Sequence, residues 1–134
     1  MNNRKIGNAF EDTLAEILHD YGFWVHPLNQ NKAGQPADLI AVRNTKSFLI
    51  DAKVCSGKGF DLSRIEYNQE LAMTMWSECG NGDGWFAILV DERVYMLSYQ
   101  NLIRYRCQCS VLPGEVIKEI GAPIEEWVKR VKKW

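Results

Sequence analysis

The run Phe48-Leu49-Ile50-Asp51-Ala52-Lys53-Val54 is apolar throughout except for an acid and a base two residues apart. Its length and its aromatic and β-branched content predict a strand inside a sheet. Side chains on a strand alternate faces, so Phe48, Ile50, Ala52 and Val54 share one face. Leu49, Asp51, Lys53 and Cys55 share the other. The acid and base are then either an ion pair at a sheet edge or part of a site.

The neighbouring segment bears on that choice. "ADLIAVR" (37–43) reads as a strand, Asn44-Thr45 as a tight turn and "SFLIDAKV" (47–54) as the returning strand of a hairpin. A turn centred on Asn44-Thr45 pairs Val42 with Ser47, Ile40 with Leu49, and Asp38 with Asp51. Like charges facing each other across strands destabilise a sheet, the more so when partly buried. A divalent cation reverses that sign, because carboxylate oxygens are the hard ligands that Mg²⁺ and Mn²⁺ select. Lys53, on the same face, is placed to hold a water or a phosphate oxygen.

The rest of the chain supplies elements around this hairpin. Residues 4–21 predict an amphipathic helix, with Ile6, Phe10, Leu14, Ile17, Leu18 and Tyr21 in a stripe about 120° wide and Gly22 ending it. Glu11 falls on the margin of that stripe, which suits a surface glutamate and a group reaching a polar cleft equally well. "FWVHPL" (23–28) reads as an edge strand, limited by Pro27. After the third strand comes a loop and then a helix, with Asp61 or Ser63 as N-cap and Glu66 as the capping-box partner of Ser63. Ile65, Ala72 and Trp76 mark that helix's buried stripe, and Gln69 lies in its middle. A buried amide needs partners, which a core hydrogen bond or a site would supply. "GNGDG" (80–84) is a turn and not a phosphate loop, since no Gly-Lys-Ser/Thr follows. Strands "WFAILV" (85–90) and "RVYMLS" (93–98) join through Asp91-Glu92, then a short helix follows in "YQNLIRYRC" and a last helix in "APIEEWVKRVKKW". The order α-β-β-β-α-β-β-α predicts a mixed α/β sheet flanked by helices.

Composition narrows the function classes. At 134 residues the chain is expected to form one domain with a real core. A net charge of −1 does not mark a strongly basic nucleic-acid binder. Local basic groups are nonetheless present in Arg4, Lys5, Lys32, Lys58, Arg64 and the terminal "KRVKKW". Cys55, Cys79, Cys107 and Cys109 fit no zinc motif and are expected to be reduced thiols. His19 and His26 read as surface or edge residues. With no apolar run of about 20 residues and no signal-peptide core, the expected location is the cytoplasm, away from membranes.

Four features taken together carry a resemblance. They are Gly7-Asn8-Ala9-Phe10-Glu11 opening the first helix, "GQPADLIAV" with Pro36 and Asp38, "FLIDAKV" with Asp51-x-Lys53, and "SRIEYNQ" ending on Gln69. In that order, on those elements, they resemble the PD-(D/E)XK nuclease superfamily, in particular its Holliday junction resolvase-like branch with phage and Gram-positive members. The resemblance covers about residues 6–98. It implies a restriction-endonuclease-like αβββαβ core, an extra C-terminal strand and helix, and a C-terminal helical extension over about 99–134. It also implies that Asp38 and Asp51 bind Mg²⁺ (or Mn²⁺) with Glu11, directly or through water, and that the Ala52 carbonyl completes the shell. Lys53 would orient or activate the attacking water, and Gln69 would position that water or a neighbour. Lys58, Arg64 and Tyr67 flank these residues and are candidate phosphate contacts.

The implied activity is a metal-dependent endonuclease acting in DNA recombination or repair on branched or junction DNA. A nuclease for flap, nicked or linear DNA, and a non-catalytic binding module on the same fold, are the alternatives. Fold-level analogy adds a homodimer, with Trp127 and Trp134 expected at the surface as interface residues.

Overall fold

The structure, a computed structural model, describes residues 3–28 and 35–131. Helix α1 (Asn3–Asp20) stops where Gly22 takes a φ of +89°, a left-handed conformation that glycine adopts without a Cβ penalty. Strand β1 (Trp24–Pro27) forms one edge of the sheet, the position where a proline lacking a ladder donor is tolerated. Strands β2 (Leu39–Arg43) and β3 (Lys46–Val54) form the expected hairpin. Asn44 and Thr45 both have positive φ, +50° and +69°, which gives the primed turn whose twist matches that of the strands. The ladder pairs Val42 with Ser47, Ile40 with Leu49 and Leu39 with Ile50, the register anticipated from the turn.

Beyond β3 the chain makes β4 (Phe60–Asp61), a 3-10 turn (Leu62–Arg64) and α2 (Tyr67–Trp76), then returns as β5 (Trp85–Val90) and β6 (Arg93–Ser98). The C-terminal part is α3 (Tyr99–Arg104), β7 (Val111–Leu112), α4 (Gly114–Ile120), β8 (Ala122–Pro123) and α5 (Ile124–Val131). The main sheet has the order β1-β2-β3-β5-β6-β8, with β4 and β7 paired separately. β3 and β5 run parallel, and α2 provides the crossover that such a pair requires. All the other pairs are antiparallel.

The two-residue period of β3 divides the core in two. Ile50, with Phe48 and Ala52, packs under Phe10, Leu14 and Leu18 of α1 and Trp127 and Val128 of α5. Leu49 faces the other way, with Phe86, Ile88 and Leu97, onto Ile65, Met73, Leu102 and Ile117. The architecture is therefore a six-stranded mixed sheet with helices on both faces, as expected.

Several local expectations differ from the structure. Ile6 and Tyr21 are 36% and 41% exposed, because they lie at the ends of α1, past the turns that pack on the sheet. Asp61 caps only the 3-10 turn, accepting from Ser63 N–H at 2.9 Å. Ile65 is then extended and buried, which breaks the helix, so Glu66 and not Ser63 is the N-cap of α2. The strand over 93–98 and the two helices expected after it form as β6, α3 and α5, but β7, α4 and β8 stand between those helices, where the sequence suggests no element. Trp127, expected at the surface, is 2% exposed and stacks on Phe23 with ring centroids 5.9 Å apart. Its position follows from Ile124, Trp127, Val128 and Val131 recurring at helical spacing along one face of α5. Trp134 lies outside the described residues, as does Lys32.

Thr45 is β-branched and held at positive φ, a strained combination that glycine relieves. Thr45→Gly should therefore stabilise the fold by about 1 kcal/mol, or roughly 4 °C in the melting midpoint for a chain of this size. Thermal unfolding followed by circular dichroism measures this, and an unchanged or lowered midpoint would refute the strain.

Candidate active site

Asp38 immediately precedes β2, just past Leu39–Ile50, the last pair of the hairpin ladder. Its N–H donates to Ile50 C=O at 3.1 Å, and its own carbonyl accepts from Leu28 N–H at 2.8 Å. The expected Asp38–Asp51 pair is not part of the ladder, but the two carboxylates lie close enough to act on each other, and both are buried, at 8% and 1% exposure. Asp38 Oδ2 accepts from the Ala52 backbone N–H at 2.7 Å. Its Oδ1 accepts from Gln35 Nε2, and Asn68 Nδ2 of α2 in turn donates to the Gln35 carbonyl at 2.9 Å. Helix α2 thus fixes the segment that carries Asp38.

Gln69, also on α2, reaches the second carboxylate. Its Nε2 donates to Asp51 Oδ1 at 3.1 Å, while its Oε1 accepts from Glu66 N–H at 3.2 Å. The two contacts together settle which way the amide points. Lys53 Nζ stands 3.1 Å from Asp51 Oδ2. That approach is an ion pair without hydrogen-bond alignment, so Asp51 Oδ2 is a buried oxygen with no aligned donor. Glu11 of α1 joins these groups along a cleft of about 390 Å³ that also contains Gly7, Asn8, Ala52 and Arg64.

The carboxylates strain one another electrostatically. Burial, followed by contact with the Asp38 carboxylate, pushes Glu11 up to about 7. Burial, followed by repulsion from Asp38, pushes Asp51 up to about 8, against the opposing pull of Lys53. Among the described residues no three His, Cys, Asp or Glu side chains form a ready-made metal cage. The contacts run pairwise, Glu11 with Asp38 and Asp38 with Asp51. The donor set still fits a hard divalent cation: it is all oxygen, it is anionic, and it includes a buried carboxylate oxygen met by an ion pair without an aligned hydrogen bond.

A family model for the archaeal Holliday junction resolvase (Hjc) matches residues 2–134. The chain belongs to the Hjc family. Among solved structures, it is similar to Hjc of Archaeoglobus fulgidus, described as a Holliday junction resolvase from an archaeal hyperthermophile. The identity is 15% and the TM-score 0.67, over 91% of this chain and 98% of that one, a likeness of fold. No curated protein matches the chain.

In this Hjc-family fold, Glu11, Asp38, Asp51, Ala52, Lys53 and Gln69 all line one cleft. Arg64 lines it too, its Nη1 donating to the Val54 carbonyl at 2.6 Å. Tyr67 is 74% exposed at the start of α2. Lys58 is not brought to this cleft: it lines a neighbouring cavity with Cys55 and Gly114. His19 and His26 are exposed, and all four cysteines are free thiols. Sequence reasoning missed Gln35, Glu66 and Asn68. Gln35 carried a weak signal, a polar side chain next to Pro36 and three residues before Asp38. Asn68 and Glu66 carried none beyond their nearness to Gln69.

Asp51 in the folded chain has its pKa raised from an ordinary carboxylate value, so its protonated form is the one the fold favours. Its contribution to stability is complete below about pH 4 and is lost as pH rises through about 8. Asp51→Asn, uncharged at every pH, avoids that loss. In metal-free buffer its melting midpoint relative to the parent should therefore climb between pH 4 and pH 8, by a few degrees. A midpoint difference that stays flat across this range would mean that Asp51 is not held against its charge.

Proposed function

We propose that this Hjc-family endonuclease cuts branched DNA, four-way junctions above all, with Mg²⁺ (or Mn²⁺) held by Asp38 and Asp51 together with Glu11 and the Ala52 carbonyl. The observation that carries this reading is the adjacent buried pair Asp38 and Asp51, with the Lys53 ammonium 3.1 Å from Asp51 Oδ2. When bound, the cation supplies Lewis-acid polarisation of the scissile phosphate. Lys53, on a strand inside the sheet, places one positive charge where negative charge develops on the phosphoryl oxygens, and it holds the attacking water by hydrogen bond. Gln69 keeps Asp51 in one orientation through its two fixed contacts. Arg64 stands at the cleft wall to meet an incoming phosphate, and Tyr67 offers an exposed ring beside it. Lys58 serves the flanking DNA instead of the cut position.

The Gly7–Glu11 opening and the 63–69 segment support kinship with the family's phage and Gram-positive members. The reduced cysteines fit work in the cytoplasm, and no helix among the described residues is long and apolar enough to cross a membrane.

The partner protein in this reading is a second copy of the chain, since paired cuts in a two-fold substrate need paired sites. Leu71 and Met75 stand one turn apart on α2 and are 47% and 62% exposed. They form an apolar stripe on the face of α2 opposite Gln69 and Met73, and a two-fold copy would cover it. Light scattering should find a dimer that Leu71→Arg converts to a folded monomer. A monomeric parent would remove this partner.

Cleavage of a labelled four-way junction against linear duplex, with Mg²⁺ and with EDTA, tests the reading. The junction should be cut in preference and only with the cation. Asp51→Ala and Lys53→Ala should each lose about 10²-fold or more while remaining folded. Undiminished cleavage in either variant would remove the proposed site, and equal rates on both substrates would remove the junction specificity.

A further inference from the structure

Gly7 precedes Glu11 by one turn of α1, and both residues line the cleft. Within a helix, glycine is the least stabilising residue apart from proline, because it has the most backbone freedom to lose. Nothing among the described residues requires it here. Gly7 is helical and is not among the residues with positive φ. A Cβ added to it meets no heavy atom of the described residues within 4 Å. Gly84 shows the opposite case: there a Cβ would fall 1.8 Å from Met73 Sδ, so packing alone demands glycine. At Gly7 the protein itself would accept alanine, and the helix would be firmer for it. The open space that a Cβ would enter belongs to the cleft that ends at the carboxylates. Asn8 lines the same stretch and is exposed, so its amide is available to a phosphate.

We propose that Gly7 is the point where the DNA sugar-phosphate strand crosses α1 in contact with the bare helix backbone on its way to Glu11 and Asp51. Asn8 donates to a phosphate beside the crossing, and Gly7 thereby sets how deeply the strand seats. This rests on the nuclease reading above. A methyl group at the crossing holds the strand off the helix by about 1 Å or more, a displacement that costs on the order of 10²-fold when it reaches the reacting atoms.

Gly7→Ala separates this role from a structural one, because the two predict opposite signs. Its melting midpoint should rise by about 2–5 °C. Its affinity for a fluorescent four-way junction in EDTA should fall about tenfold, and its Mg²⁺-dependent cleavage should fall further. Gly7→Leu should lose more of both while staying folded, since the space is open within the protein. A Gly7→Ala protein that is more stable and that binds and cuts the junction like its parent would overturn the proposal and leave the nuclease reading standing. A parent chain that neither binds nor cuts the junction would overturn both.

Discussion

The site depends on one constraint, a tight hairpin that brings two carboxylates together and buries both. The turn at Asn44-Thr45 fixes the register as far as Leu39–Ile50, and just beyond it the Asp38 carboxylate turns onto β3 beside Asp51. Each acid then recruits donors to make its burial tolerable. Asp38 takes the Ala52 N–H and the Gln35 amide, and Asp51 takes Gln69 and the charge of Lys53. One oxygen, Asp51 Oδ2, is left without an aligned donor. A fold selected for stability alone would replace such a pair with apolar side chains, which are commonly neutral or better in that place. Its retention makes sense if the missing partner is a cation.

Helix α2 is the second support. As the crossover between the parallel strands β3 and β5, it has to pass over one face of the sheet. That path brings Asn68 to the Gln35 carbonyl and Gln69 to Asp51, so the topology that closes the sheet also positions both acids. The opposite face of α2 shows Leu71 and Met75 to solvent. A helix that is apolar on both sides is rarely left uncovered. The same element thus connects the chemistry to the surface proposed for a second copy.

Much of this was legible in the sequence, for identifiable reasons. A two-residue turn admits few registers, so the hairpin could be read from Asn44-Thr45 and the alternation of β3, whereas Asp38 comes near Asp51 only past the end of the ladder. Gln69 stood out because an amide in an apolar stripe needs partners. What stayed hidden depended on contacts distant in sequence. Gln35 acts through Asn68, 33 residues away. Trp127 was misplaced because a tryptophan near the end of the chain among lysines suggests an exposed tail, whereas its helical spacing turns it onto Phe23, Phe48 and Trp85. The short β7, β8 and α4 have too few residues to show a period, and they form only because the sheet edge and β4 are there to pair with or pack on.

Sharing of a divalent cation by Asp38 and Asp51 is tested most directly by titrating Mn²⁺ into the protein and counting free ion by electron paramagnetic resonance. The parent chain should show saturable binding. Asp51→Asn, folded and at the same pH, should bind about tenfold more weakly or worse. Equal Mn²⁺ binding by the two proteins would contradict the claim that these acids come together to hold a metal.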